Sequence, residues 1–223
     1  DNLRPDGNCR ACMVEIDGER ALAPSCCRQP NNDMTVRGDS GRARKAQSLV
    51  LELLRGEVGN SHLSNSSELD YWCDQLGVTG SRFGSRQQLM EDASHPAIAV
   101  NLSACIQCTR CVRACREEQA NDVIGFAHRG SHSEIVFDLG DPMGESSCVG
   151  CGECVQVCPT GALMPAGGVG LEVMDRAVDS VCPYCGVGCL LTYHVKDNRI
   201  QYVTGRDGPS NHGRLCVKGR YGF

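Results

Sequence analysis

Cys105-Ile-Gln-Cys108-Thr-Arg-Cys111-Val-Arg-Ala-Cys115 returns 43 residues on as Cys148-Val-Gly-Cys151-Gly-Glu-Cys154-Val-Gln-Val-Cys158. Each run has the spacing C-x2-C-x2-C-x3-C, which places three thiolates on one tight loop, enough to wrap three corners of a cubane. Where a chain carries two such runs, the fourth cysteine of each serves the other cluster. The pattern predicts Cys105, Cys108, Cys111 and Cys158 around one 4Fe–4S cluster, and Cys148, Cys151, Cys154 and Cys115 around a second. Zinc competes for cysteine-rich loops, but structural zinc sites use two well-separated ligand pairs around one tetrahedral ion. Four cysteines in one short run, twice over, do not follow that plan. The second run continues into Pro159 as bacterial runs do; the first continues into Arg116, which alters the turn and removes no ligand.

Downstream, Cys182-Pro-Tyr-Cys185-Gly-Val-Gly-Cys189 and the distant Cys216 make a third four-thiolate set. Its glycines at 186 and 188 let backbone amides approach sulfur. A zinc ribbon is the competing reading on spacing alone. Upstream, Cys9-Arg-Ala-Cys12 precedes an alternating Met13-Val-Glu-Ile16, a turn at Asp17-Gly18 and a return from Arg20 to Cys26-Cys27, a short hairpin flanked by cysteines.

Between these modules, Ser40 caps a predicted helix over 41–55, whose apolar residues recur at helical spacing as a packing stripe. A second helix is expected from Ser67 to Leu76, and 79–95 reads as a polar linker. Val123 to His128 and Glu134 to Asp138 flank Gly130 as an inserted hairpin. Residues 165–180 read as a linker. Leu190 to Val195 and Arg199 to Val203 are strand-like around Asp197-Asn198.

Seventeen cysteines stand among 223 residues, against one Trp, five Tyr and four Phe. So few large apolar side chains predict several small modules held by metal in place of one large core. The odd count and close spacing argue against a disulfide framework, and reduced thiols fit the cytoplasm. A net charge of −5 excludes the basic footprint of nucleic-acid binding. No apolar run is long enough to span a membrane.

Cys182 to Cys189 together with Arg214-Leu-Cys216-Val-Lys218-Gly-Arg-Tyr-Gly222 resembles the N-terminal cluster domain of molybdenum or tungsten bis-pterin oxidoreductases. End to end, the order of modules resembles the N-terminal part of the alpha subunit of cytosolic NAD-dependent formate dehydrogenases. The resemblance implies an α+β fold of several small iron–sulfur modules. Residues 1–40 would be the C-terminal part of a 2Fe–2S ferredoxin-like domain, and 41–95 a helical connector. Residues 96–165 would form the two-cluster 4Fe–4S ferredoxin-like domain, and 181–223 the 4Fe–4S domain that precedes a molybdopterin catalytic domain.

On that resemblance Cys9, Cys12 and Cys26 hold a 2Fe–2S cluster whose first ligand lies before Asp1. Cys27, pointing elsewhere in a strand, and Cys73 are then spare buried thiols. Relatives also carry a cluster on one histidine and three cysteines in the connector; with only His62 and Cys73 there, none is expected. With Cys182, Cys185, Cys189 and Cys216 on the third 4Fe–4S cluster, the cofactors number one 2Fe–2S and three 4Fe–4S clusters. Bis-molybdopterin guanine dinucleotide with Mo or W belongs to a domain beyond Phe223. Lys218 takes the place of the family's relay lysine between cluster and pterin. Arg110, Arg113 and Arg116 either temper cluster charge or form a solvated face, and His194 and His212 are not ligands.

The resemblance further implies formate oxidation to CO2, reversibly, with electrons passing to FMN- and NAD-binding diaphorase subunits that carry further iron–sulfur clusters. Three other readings compete: the cluster region of an iron-only hydrogenase, a stand-alone polyferredoxin, and a zinc-stapled interaction module. Residues 182–218 argue against the hydrogenase, which has no such module there.

Overall fold

In a computed structural model that describes residues 3–61, 63–86 and 89–223, the first hairpin forms as its alternation predicts. β1 (Met13–Ile16) buries Val14 and Ile16 and pairs antiparallel with β2 (Ala23–Pro24) and β3 (Val36–Arg37). The return strand is only two residues long, because a 3-10 turn over Ser25–Cys27 takes over after Pro24.

α1 (Gly41–Val58) starts at Ser40, whose Oγ accepts the Ala43 amide at 3.2 Å. It runs three residues past Arg55, because Gly56 and Val58 are buried and continue the packed face to Gly59. α2 (Glu68–Leu76) starts at Ser67, whose Oγ accepts the Asp70 amide at 3.1 Å, and closes on Gly77 at φ 67°. Leu51 and Val58 of α1 pack on Leu69 and Cys73 of α2. Each fully buried side chain of this size contributes roughly 1.5–3 kcal/mol.

The middle unit comprises β4 (Ile98–Val100), α3 (Arg110–Arg113), β5 (Ile124–Ala127), β6 (Glu134–Phe137), α4 (Glu153–Gln156) and β7 (Leu163–Pro165). β4 pairs antiparallel with β7, and β5 with β6 as the inserted hairpin. Its core joins Ile98, Val100, Ile124, Ile135, Phe137, Met143 and Leu163 to Cys115 and Cys154. The duplication persists in the backbone: Gln107 and Thr109 take φ 56° and 58°, and Gly150 and Gly152, their counterparts, take 65° and 72°.

The last unit is an antiparallel sheet in the order β10-β9-β8, built from β8 (Arg176–Val181), β9 (Leu190–Lys196) and β10 (Arg199–Gly205). Asp197 and Asn198 both adopt positive φ, as a two-residue type I′ hairpin requires. β8 corrects the reading of 165–180 as linker. It is an edge strand exposed along nearly all its length, so no buried alternation marks it in the sequence. α5 (Val217–Tyr221) follows Cys216 directly. Among the described residues, no helix is long and apolar enough to cross a membrane.

Candidate metal centres

The two cysteine runs are shaped alike. The left-handed Gln107 turns its amide onto Cys105 Sγ at 3.3 Å, and the left-handed Gly150 does the same to Cys148 Sγ at 3.4 Å. The amide of Arg110, opening α3, donates to Cys108, and that of Glu153, opening α4, donates to Cys151. Burial above all pushes Cys105 up to about 11 and Cys108 up to about 12, with nearby Cys158 contributing to both. Cys111 is raised well above its ordinary value by burial and then by Cys105, Cys108 and Cys158.

These four thiols line one cavity with Leu102, Ile106, Ile135 and Leu163. Cys148 and Cys151 are likewise raised first by burial, and Cys115 adds to both. Burial also raises Cys154, with Cys151, Cys148 and Cys115 contributing. Cys158 thus sits among the thiols of the first run and Cys115 among those of the second. The two sets meet where Cys111 feels Cys154. Buried thiols that repel one another's ionisation cannot all become thiolates without compensating positive charge, and cluster iron supplies such charge. The donor sets therefore fit 4Fe–4S clusters.

The third set gathers at the end of the β8–β9–β10 sheet. Cys182 is buried against Leu191, Val203 and Leu215, and its amide donates to the Cys189 carbonyl at 2.8 Å. Cys189 is raised by burial, then by Cys182, Cys185 and Cys216. Cys185 and Cys216 are exposed, as is Lys218 on α5.

What ties this set to the middle unit went unread in the sequence. Arg220 is 3% exposed and donates from Nε to the Cys151 carbonyl at 2.9 Å and from Nη1 to Gln156 Oε1 at 2.8 Å, and its Nη2 pairs with Glu153 at 3.2 Å. Gln156 in turn accepts the Gly205 amide at 2.8 Å and donates to the Gly213 carbonyl at 2.7 Å. Arg214 pairs with Glu118. The one signal available was Gly152, where a Cβ would overlap Arg220 Cδ.

Cys9, Cys12 and Cys26 line a cavity of about 720 Å³ with Leu51, Leu69 and Trp72. Burial works to raise Cys12, but hydrogen bonds from the Cys26 amide, the Cys26 thiol and Ser25 outweigh it and hold Cys12 below its ordinary value. Cys26 is pushed up to about 12 by burial, then by Cys12 and Cys27. Cys27 corrects the expectation of a buried thiol turned away: it is exposed, with Sγ 3.7 Å from that of Cys26. The 3-10 turn puts adjacent side chains on neighbouring faces, where a strand would oppose them.

Cys73 is buried in the α1–α2 core and raised by burial. His62 lies outside the described residues. His194 stacks on Tyr202 and bonds Thr204 at 2.9 Å. Arg110 forks onto Glu68 at 2.6 and 3.0 Å beside Cys108 and Cys9. Arg113 donates to the Cys108 carbonyl at 3.2 Å, and Arg116 binds Asp122 at 2.5 Å. Among the described residues, no three or more His, Cys, Asp or Glu side chains converge as a single metal ion requires.

Two segments match known families. Residues 175–223 match the molybdopterin oxidoreductase Fe4S4 domain, and residues 95–164 the ferredoxin-like domain of NADH-quinone oxidoreductase subunit 3. The chain is 32% identical to an NADH-quinone oxidoreductase component of Rhizobium meliloti and 30% identical to NADPH-Fe(3+) oxidoreductase subunit alpha of Geobacter sulfurreducens. Each alignment covers 99% of this chain and 27% of the relative. A putative formate dehydrogenase of Staphylococcus haemolyticus is 26% identical over all of the chain and 27% of its own length. The chain thus spans about a quarter of these relatives. Among solved structures, a chain of NAD+-reducing [NiFe]-hydrogenase in the H2-reduced state superposes with a TM-score of 0.68 at 25% identity. That match covers 75% of this chain and 73% of the other. The chain therefore carries 4Fe–4S cluster-binding domains of the kind found in multi-subunit oxidoreductases.

Proposed function

We propose that this chain is the electron-transfer segment of a cytoplasmic formate dehydrogenase. It would link a bis-molybdopterin guanine dinucleotide centre holding Mo or W to FMN- and NAD-binding diaphorase subunits. One observation carries the reading: three sets of four thiols stand in succession, the third bonded through Arg220 to the second, and the second meeting the first at Cys111 and Cys154. Bound clusters supply one-electron transfer between a two-electron substrate and a two-electron acceptor.

The thiols of Cys105, Cys108, Cys111 and Cys158 would hold one 4Fe–4S cluster, and those of Cys148, Cys151, Cys154 and Cys115 the next. Cys182, Cys185, Cys189 and Cys216 would hold the third. Cys9, Cys12 and Cys26 would hold three corners of a 2Fe–2S site, with a fourth thiolate from outside that set. The exposed Lys218, two residues past Cys216, would face the pterin as a fixed cation. The match of the whole chain to part of a putative formate dehydrogenase and the match of 175–223 to the Fe4S4 domain of molybdopterin enzymes support the assignment.

A second reading has its own support, because two relatives more identical than the formate dehydrogenase act, by their names, on NADH or NADPH. The test is the full-length protein in its complex, purified without oxygen. The proposal expects Mo or W, iron and sulfide for one 2Fe–2S and three 4Fe–4S clusters, and formate-dependent reduction of NAD. NAD(P)H oxidation without any response to formate selects the second reading. Stoichiometric zinc without acid-labile sulfide overturns both.

A further inference from the structure

We propose that the Tyr221 hydroxyl donates a hydrogen bond to a sulfur of the cluster that the second thiolate set would hold and raises the reduction potential of that cluster. This deepens the reading of that set as a cluster site and rests on it. The hydroxyl is buried and has no partner among the described residues. Tyr221, like Cys148, packs against the core that contains Cys154. A Cβ at Gly152 would come within 2.5 Å of the hydroxyl, so the oxygen lies directly on the loop between Cys151 and Cys154.

The ring is held there by its neighbour, since Arg220 grips Cys151 and Glu153. Nearby loop carbonyls are already engaged: Cys151 by Arg220, Gly152 by the amides of Val155 and Gln156, and Glu153 by that of Val157. The sulfurs of a bound cluster remain as acceptors, and a buried hydroxyl left unbonded is costly. Burial raises the phenol well above its ordinary value, with Arg220 opposing and the nearby thiols reinforcing, so it is a neutral donor.

At the first set, Gly152 corresponds to Thr109, whose hydroxyl is bonded to Asn8 at 2.8 Å and Asp6 at 3.1 Å, and the hydroxyl beside a sulfur is that of buried Thr160, 3.8 Å from Cys158 Sγ. Tyr221 lies at the second set, so its removal should leave that first-set hydroxyl untouched. A one-electron reduced cluster carries more negative charge, so a donor at its sulfur favours reduction.

The experiment is a dithionite titration of the full-length protein in its complex, followed by electron paramagnetic resonance, with Tyr221→Phe against the parent. The second cluster's signal is identified as the one lost in Cys154→Ser. Tyr221→Phe is expected to shift that signal alone to lower potential, by about tenfold in the reduction equilibrium, or 59 mV for one electron. In the parent, that signal should also couple to an exchangeable proton that Tyr221→Phe lacks. Should every signal stay in place, or all move together, the proposal fails while the cluster reading stands. If Cys154→Ser removes no iron–sulfur signal, the cluster reading itself falls, and the proposal with it.

Discussion

Arg220 Nε reaches the carbonyl oxygen of Cys151 at 2.9 Å across 69 residues of sequence, while the Arg220 amide donates to the carbonyl of Cys216 at 3.1 Å. A single residue thereby joins the backbone of the third thiolate set to that of the second. The join depends on a buried charge, and Glu153 at 3.2 Å compensates it, with the two side chains 3% and 7% exposed.

Removing one partner of a buried pair costs more than the pair itself contributes. Arg220→Gln leaves the Glu153 carboxylate buried without its cation and should lower stability by about 3–5 kcal/mol. Glu153→Gln keeps an oxygen acceptor but leaves the Arg220 guanidinium buried without its counter-charge, so it should also cost more than the roughly 1 kcal/mol of an ordinary hydrogen bond. The double variant should lose less than the sum of the two single losses in unfolding measurements, and additive losses would show that the pair is not what fixes Arg220.

The proposed ligand cysteines were legible because each set is mostly local: three thiols of a run share one loop, and spacing alone reports that. Cys115 and Cys158 were legible only through the duplication, which assigns each to the opposite run. Ser40 and Ser67 announced their helices because a cap is a side chain bonded to its own next turn. The contacts of Arg220, Gln156 and Glu153 are long-range and carry no periodic signal. β8 was hidden because an exposed edge strand need not alternate. Cys27 was misplaced because one 3-10 turn, too short to leave a pattern, replaced the expected strand.

Gly150 and Gly152 separate backbone strain from crowding. Both take left-handed φ, so alanine at either adds strain of about 1–2 kcal/mol. At Gly150 the new methyl meets Val217 and His95 at 3.6 Å or more, which is ordinary contact. At Gly152 it overlaps Arg220 Cδ and comes within 2.5 Å of the Tyr221 hydroxyl. Gly152→Ala should therefore lose clearly more stability than Gly150→Ala in thermal unfolding. Matching losses would mean that α5 moves aside freely.

Asp92 sets an acid limit on the junction into β4. Its carboxylate accepts the Ser94 amide at 2.8 Å and the amide of buried Met143 at 2.7 Å. Burial works to raise it, but hydrogen bonds from Ser94 and Met143 outweigh burial and hold it below its ordinary 3.8. A carboxylate depressed on folding contributes stability above its unfolded value and loses it as pH falls through the folded one. Asp92→Asn should be less stable than the parent at neutral pH, and the gap should close as pH drops below 3.8. Denaturation midpoints across that range test it; a gap independent of pH would assign the effect to shape rather than charge.

The crossed pairing of the two runs makes the sharpest test of the middle unit. Cys158 belongs to the second run by sequence yet raises Cys105 and Cys108, and Cys115 belongs to the first yet raises Cys148 and Cys151. Serine is a poor substitute for a thiolate on iron, so each replacement should remove or alter one cluster signal. Cys158→Ser should affect the signal that Cys105→Ser affects, and Cys115→Ser the signal that Cys148→Ser affects. Spectra of the four variants, taken on anaerobically purified full-length protein, read this directly. If Cys158→Ser instead grouped with Cys148→Ser, each run would hold its own cluster, and the proximity of Cys158 to Cys105 would be packing without ligation.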